Sequence, residues 1–158
     1  MSGDLTHVAE IAGSVPDPEI PVVTVADLGI LRGVAEEEGK IVVRLSPTYS
    51  GCPAVVAIEL AVEAALREAG IEARIERVLA PAWTTDWISA EGREKLRAYG
   101  IAPPVAGGRA SLFTAPVVAC PRCGSEATER VSEFGSTACK ALYRCSECSE
   151  PFDYFKCI

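Results

Sequence analysis

Two Cys-x-x-Cys turns, Cys120-Pro-Arg-Cys123 and Cys145-Ser-Glu-Cys148, leave this chain less freedom than any other part of its sequence. A turn of that spacing aims both sulfurs at one point, and two facing turns supply four thiolates in a tetrahedron. The 21 residues between Cys123 and Cys145 exceed the usual interval of about 15–20 only slightly, which a hairpin absorbs. A segment this small buries too little apolar surface to fold unaided, so a metal cross-link would hold it. The expected metal set is therefore Cys120, Cys123, Cys145 and Cys148. Structural zinc is the first expectation, and iron is the alternative that a tetrahedral S₄ site also suits.

Cys52, Cys139 and Cys157 bring the cysteines to seven, an odd count that argues against a disulfide framework. The start, Met1-Ser-Gly-Asp-Leu-Thr-His7, lacks the basic region and apolar run of a secretion signal. The most apolar stretch, Pro53 to Leu66, is broken by Glu59 and Glu63 and falls short of the roughly 18 apolar residues that span a bilayer. The chain is thus expected in the cytoplasm, without a membrane partner, where metal binding explains thiols better than disulfides do. Cys139 and Cys157 are read in two ways, as small buried apolar residues or as additional, transient ligands for iron or an iron–sulfur cluster. The net charge of −7 disfavours nucleic acid as a partner, since such binders neutralise phosphates with Lys and Arg. Residues 116–158 hold five Lys/Arg against six Asp/Glu, so a nucleic-acid-binding ribbon lacks its basic face.

Upstream, Leu5, Val8, Ile11 and Ala12 recur at helical spacing within residues 5–14. Three prolines in Pro16-Asp-Pro-Glu-Ile-Pro21 then predict a rigid, extended loop. Residues 28–35 and 40–46 flank the acidic turn 36–39 as a β-hairpin. Residues 53–69 form the clearest helix, opened by Pro53 and followed by Gly70. Residues 71–79 alternate at the strand period, and 89–99 read as a further helix. The order predicts an α+β domain, helices on one small mixed sheet. With the Gly/Pro-rich run after Gly100 as the joint, the chain divides into a domain over 1–104, a linker over 105–114 and a cysteine module over 115–158.

Three further candidates lie in the first part. Cys52 directly precedes the Pro53 helix, which makes it the expected N-cap, where N–H groups and the helix dipole favour a thiolate; the alternative is a buried small residue at a turn. Asp17 and Glu19 sit between prolines, either as a metal or partner contact or as an ordinary solvated loop. Trp83, Asp86 and Trp87 are either core packing or a protein contact. His7 is the only histidine, so a His-based triad, a two-His iron site and an HExxH zinc site cannot be built from this chain alone. No GxGxxG or Walker A pattern occurs.

Asp17-Pro-Glu-Ile-Pro, Val25-Ala-Asp-Leu-Gly29 and Thr48-Tyr-Ser-Gly-Cys52-Pro together resemble the SufT-like domain of iron–sulfur assembly factors. Trp83-Thr-Thr-Asp-Trp-Ile-Ser89, Tyr99-Gly-Ile-Ala-Pro-Pro104, Phe134-Gly-Ser-Thr-Ala-Cys-Lys-Ala141 and Glu150-Pro-Phe-Asp-Tyr-Phe-Lys-Cys157 extend the likeness to the PaaD family. PaaD, also called PaaJ, is the accessory component encoded with the multicomponent phenylacetyl-CoA epoxygenase of aerobic phenylacetate degradation. The resemblance implies a SufT-like α+β domain followed by a zinc-ribbon-like all-β cysteine module. It implies a non-catalytic role in maturing a di-iron or iron–sulfur centre. The implied partners are the oxygenase or reductase subunits and the iron–sulfur assembly machinery, and a homodimer is a further expectation. By position, Cys52 matches the family's reactive cysteine, while Asp17 and Glu19 match its acidic loop. The rival reading is a small electron-transfer subunit with iron on the tail cysteines.

Overall fold

The computed structural model describes residues 4–48, 52–104, 117–135, 137 and 139–155, and its contacts divide the chain into two compact units, Met1–Ser89 and Ala90–Ile158. The first unit opens with helix α1 (Leu5–Gly13), capped by Asp4, whose carboxylate accepts the Thr6 N–H at 3.1 Å. Strands β1 (Leu31–Glu37) and β2 (Lys40–Leu45) pair antiparallel. Their two-residue turn, Glu38-Gly39, has φ of 50° and 74°, the doubly left-handed form whose twist matches a hairpin. Helix α2 (Ala54–Glu68) carries the chain back, so strand β3 (Ala73–Arg77) lies parallel to β2 in a mixed sheet ordered β1-β2-β3. Helix α1 packs on β1 and α2, and Ala54, Val55, Ile58, Val62 and Leu66 form the buried face of α2.

The first strand begins at Leu31 rather than at residue 28, because residues 26–29 turn first. Gly29 has φ +68°, and a Cβ there would meet the Trp87 carbonyl oxygen at 2.5 Å. Only glycine fits.

In the second unit, helix α3 (Ala90–Ala98) precedes β4 (Ile101–Ala102), β5 (Thr128–Ser132), β6 (Lys140–Cys145) and β7 (Pro151–Phe155). The sheet order is β4-β7-β6-β5, with β4 parallel to β7 and the other pairs antiparallel. Tyr143 stacks on its cross-strand neighbour Phe152 and meets Tyr154 edge-on, with centroids 5.9 and 5.4 Å apart. This core also holds Ala102, Val118, Ala141 and the sulfurs of Cys120 and Cys145. The expected linker over 105–114 lies outside the described residues. Residues 90–104, expected with the first domain, fall in the second unit because β4 hydrogen-bonds to β7.

Candidate metal centre

The two cysteine turns are built alike. In the first, the Cys120 N–H donates to the Ser125 carbonyl at 2.8 Å, and Gly124, just past Cys123, is left-handed at φ 76°. In the second, the Cys145 N–H donates to the Glu150 carbonyl at 3.0 Å, and Ser149, just past Cys148, is left-handed at φ 63°. The Ser125 N–H bonds to the Cys123 sulfur and the Glu150 N–H to the Cys148 sulfur, two residues on in each turn. The Ser146 N–H ties the second turn to the residue just before β5, donating to the Ala127 carbonyl at 2.8 Å.

These turns bring four sulfurs together. Cys120 lies 3.8 Å from Cys148 and Cys123 lies 3.5 Å from Cys145, with all four within 4.8 Å of one another. A tetrahedron with metal–sulfur bonds of about 2.3 Å has edges of about 3.8 Å, so the quartet fits one tetrahedrally held ion. Among the described residues this is the only group of three or more His, Cys, Asp or Glu side chains placed to share an ion. Cys120 and Cys145 are buried and Cys123 and Cys148 exposed, so the site has an inner and an outer edge.

As thiols, Cys145, Cys123 and Cys148 are driven apart. The Cys148 N–H holds Cys145 down at about 7 against burial, helped by the Glu147 N–H and the thiols of Cys123 and Cys148. The Ser125 N–H favours a thiolate on Cys123, but Cys145, burial and the other two sulfurs together push it up to about 12. Cys148 is raised as well: its Glu150 N–H is outweighed by burial and by Cys145 and Cys120. One cation at the centre removes this conflict.

The other candidates stand apart from the quartet. Cys139 is buried, with its sulfur 3.0 Å from the Thr137 hydroxyl. It precedes β6 and Cys145 ends it, and six residues of strand span about 20 Å, too far to share an ion. Cys157 lies outside the described residues. Cys52 is not the N-cap of α2: the cap is Pro53, already helical at φ −68° and ψ −19°, with no side-chain cap. The proline ring presets that conformation one residue later than expected, and Cys52 stands just outside, its carbonyl accepting the Val55 N–H at 3.3 Å. Its side chain is half-buried.

The Asp17 loop is folded, not extended. Oδ1 of the buried Asp17 accepts the N–H groups of Glu19 and Ile20, both at 2.8 Å, and the Asp17 N–H donates to the Val23 carbonyl at 2.9 Å. Pro16 bridges Thr24 across this turn, and Glu19 is left exposed. Cys52, Asp17 and Glu19 form no shared metal group among the described residues. Trp83 belongs to the core at 4% exposure, its indole N–H donating to the Leu28 carbonyl at 2.8 Å, so it offers no partner surface. Trp87 is half-buried under the Arg32 guanidinium, 3.6 Å from the ring centroid, and Asp86 is exposed. Asp27, which lies in the Val25–Gly29 motif but is not among the site residues expected above, is a structural residue. Its carboxylate accepts the Thr24 N–H at 3.0 Å while its own N–H donates to the Thr24 hydroxyl at 3.1 Å, a reciprocal pair that the Thr-x-x-Asp spacing signals.

An α+β domain followed in sequence by a cysteine ribbon is the class that this fold and site define. Residues 7–81 match the iron–sulfur cluster assembly protein family, and residues 106–156 match the PaaD zinc beta ribbon domain. Among solved structures, a domain of unknown function (DUF59) from Bacillus anthracis superposes with a TM-score of 0.53 at 24% identity, covering 58% of this chain and 90% of that one. A conserved hypothetical protein from Thermotoga maritima gives a TM-score of 0.50 at 26% identity, covering 61% and 98%. The chain is also 51% identical, over 94% of its length and 90% of the relative's, to an Escherichia coli (strain K12) protein provisionally named as one of the subunits of 1,2-phenylacetyl-CoA epoxidase. It belongs to the PaaD family. No helix among the described residues is long and apolar enough to cross a membrane.

Proposed function

We propose that this protein is a non-catalytic maturation factor for a multicomponent phenylacetyl-CoA epoxidase, assisting assembly of its di-iron or iron–sulfur centre. The observation that carries this reading is the union, in one PaaD-family chain, of an iron–sulfur assembly domain with a closed cysteine quartet. Cys120, Cys123, Cys145 and Cys148 would hold one structural zinc, which cross-links the ribbon. Cys52 would be the exchange ligand for the iron or cluster in transit, a thiolate that binds iron strongly yet exchanges by substitution. Asp17 and Glu19 would shape or bind its site, Asp17 through the loop that its carboxylate holds together and Glu19 as an exposed contact. The partners would be the oxygenase or reductase subunits and the iron–sulfur assembly machinery. The setting we infer is the cytoplasm, where thiolates hold metals rather than pair as disulfides.

The test separates a factor needed once from a subunit needed at every turnover. Epoxidase made in cells without this protein should be assembled but poor in iron or cluster, and nearly inactive. Wild-type protein should restore it and Cys52→Ala should not, whereas mature epoxidase freed of this protein should turn over normally. Turnover that appears at once on mixing, with bound iron unchanged, would make it a working subunit instead. The N–H donors on three quartet sulfurs also suit a thiolate iron site, which favours electron transfer as the second reading. A coloured, reversibly reducible protein would decide for it.

A further inference from the structure

Helix α2 is apolar on two opposite faces. Val55, Ile58, Val62 and Leu66 are buried on one. On the other, Pro53, Val56, Ala57, Leu60, Ala61 and Ala64 recur at intervals of three and four and are exposed, Val56 by 56% and Leu60 by 60%. A helix apolar all round is normally covered all round, and an uncovered apolar stripe marks a contact surface. The acids beside the stripe are answered within the unit. Glu59 pairs with Arg77 at 2.8 and 2.9 Å, and Glu63 pairs with Arg67 at 2.5 Å. What remains is a neutral ridge about 17 Å long that starts at Pro53, the residue after Cys52.

The unit around this ridge is strongly acidic. Asp and Glu outnumber Lys and Arg by 14 to 6 in residues 1–89, against 8 to 9 in residues 90–158. A second copy seated on the ridge would bring two such acidic surfaces together, which costs association free energy. So short a ridge also falls well below the roughly 800 Å² per partner of a stable interface, and suits a passing contact. Small residues at 57, 61 and 64 let a partner's backbone approach closely.

We propose that the outer face of α2 docks the client polypeptide during metal delivery, receiving an apolar patch set among lysines and arginines and bringing it beside Cys52. This rests on the maturation reading above. The probe is the iron-poor epoxidase oxygenase component made in cells lacking this protein, with binding followed by sedimentation and iron uptake by metal analysis. Leu60→Lys should weaken binding at least tenfold and slow iron uptake in parallel, and Leu60→Asn should act in the same direction more mildly. Both should keep the wild-type urea midpoint and zinc content. Phe134→Lys, at an exposed apolar residue of the second unit, should bind as wild type does. Wild-type binding should also weaken as salt is raised. Should Leu60→Lys lose its fold, Leu60→Asn decides alone. If wild-type protein loads the client and the Leu60 variants load it equally well, the docking face is wrong while the maturation reading stands. If wild-type protein neither binds nor loads the client, both fail. If wild-type protein sediments as a dimer that Leu60→Lys splits, a second copy covers the face and the proposal is overturned.

Discussion

Oδ1 of Asp17 receives two N–H groups at 2.8 Å inside a loop whose prolines donate none. Hydrogen bonds to a charged, buried acceptor contribute roughly 1.5–3 kcal/mol each, and removing the acceptor strands both donors. Asp17→Ala should therefore destabilise the first unit by about 2–4 kcal/mol, while Asp17→Asn keeps an acceptor and loses less. Glu19→Gln, at an exposed residue, should stay within about 0.5 kcal/mol. Both of the chain's tryptophans, Trp83 and Trp87, lie in this unit, so fluorescence-detected urea unfolding reads it alone. A loss confined to Glu19→Gln would reverse the assignment. The proline spacing announced a fixed loop here, but not that its carboxylate turns inward. That depends on backbone angles at Asp17, which residue types alone leave open. Cys52 has the same cause: a proline at the helix start leaves the cap to either neighbour, and the backbone settles it at Pro53.

The two cysteine turns act as one element because each contributes a buried and an exposed sulfur. Replacing any one of the four by Ser should release about one metal ion per chain and collapse the NMR signals of the ribbon, with tryptophan fluorescence unchanged. Ribbon signals that survive both the substitution and chelation would contradict the cross-link. Proton competition fixes the pH dependence. The ion binds thiolates, Cys145 as a thiol titrates near 7 and Cys123 near 12, so the metal-free site carries protons that loading must release. Affinity should rise with pH, and below about 7 it should fall more than tenfold for each unit of acidification. Competition with a chromophoric chelator between pH 5 and 8 measures this, and a flat profile would exclude thiolate ligation (about 5–8 being the range where such titrations act). The pairs were legible because their spacing is a geometric statement. The α2 periodicity and the β1–β2 hairpin were legible too, since each spans enough residues to show its period. Strand β4 was not: two residues display no alternation, and its parallel partner β7 follows some 50 residues later.

At the scale of the whole molecule, acidity is concentrated in one unit and the cysteine quartet in the other. The division between them comes before α3, and that has a practical consequence. Strand β4 is the neighbour that occupies one side of β7, whose own side chains include the buried Phe152, Tyr154 and Phe155. A fragment covering residues 90–158 keeps that neighbour, and should be monomeric once zinc is supplied. A fragment starting at residue 117 keeps all four quartet cysteines but bares the backbone N–H and C=O groups of β7. An unpaired edge of that kind templates strand addition from another chain. The shorter fragment should therefore self-associate at micromolar concentration even when fully metallated, and sedimentation of the two fragments side by side would show it; equal, monomeric behaviour would mean that β4 guards nothing. On this expectation, two residues upstream of the quartet guard the ribbon against aggregation.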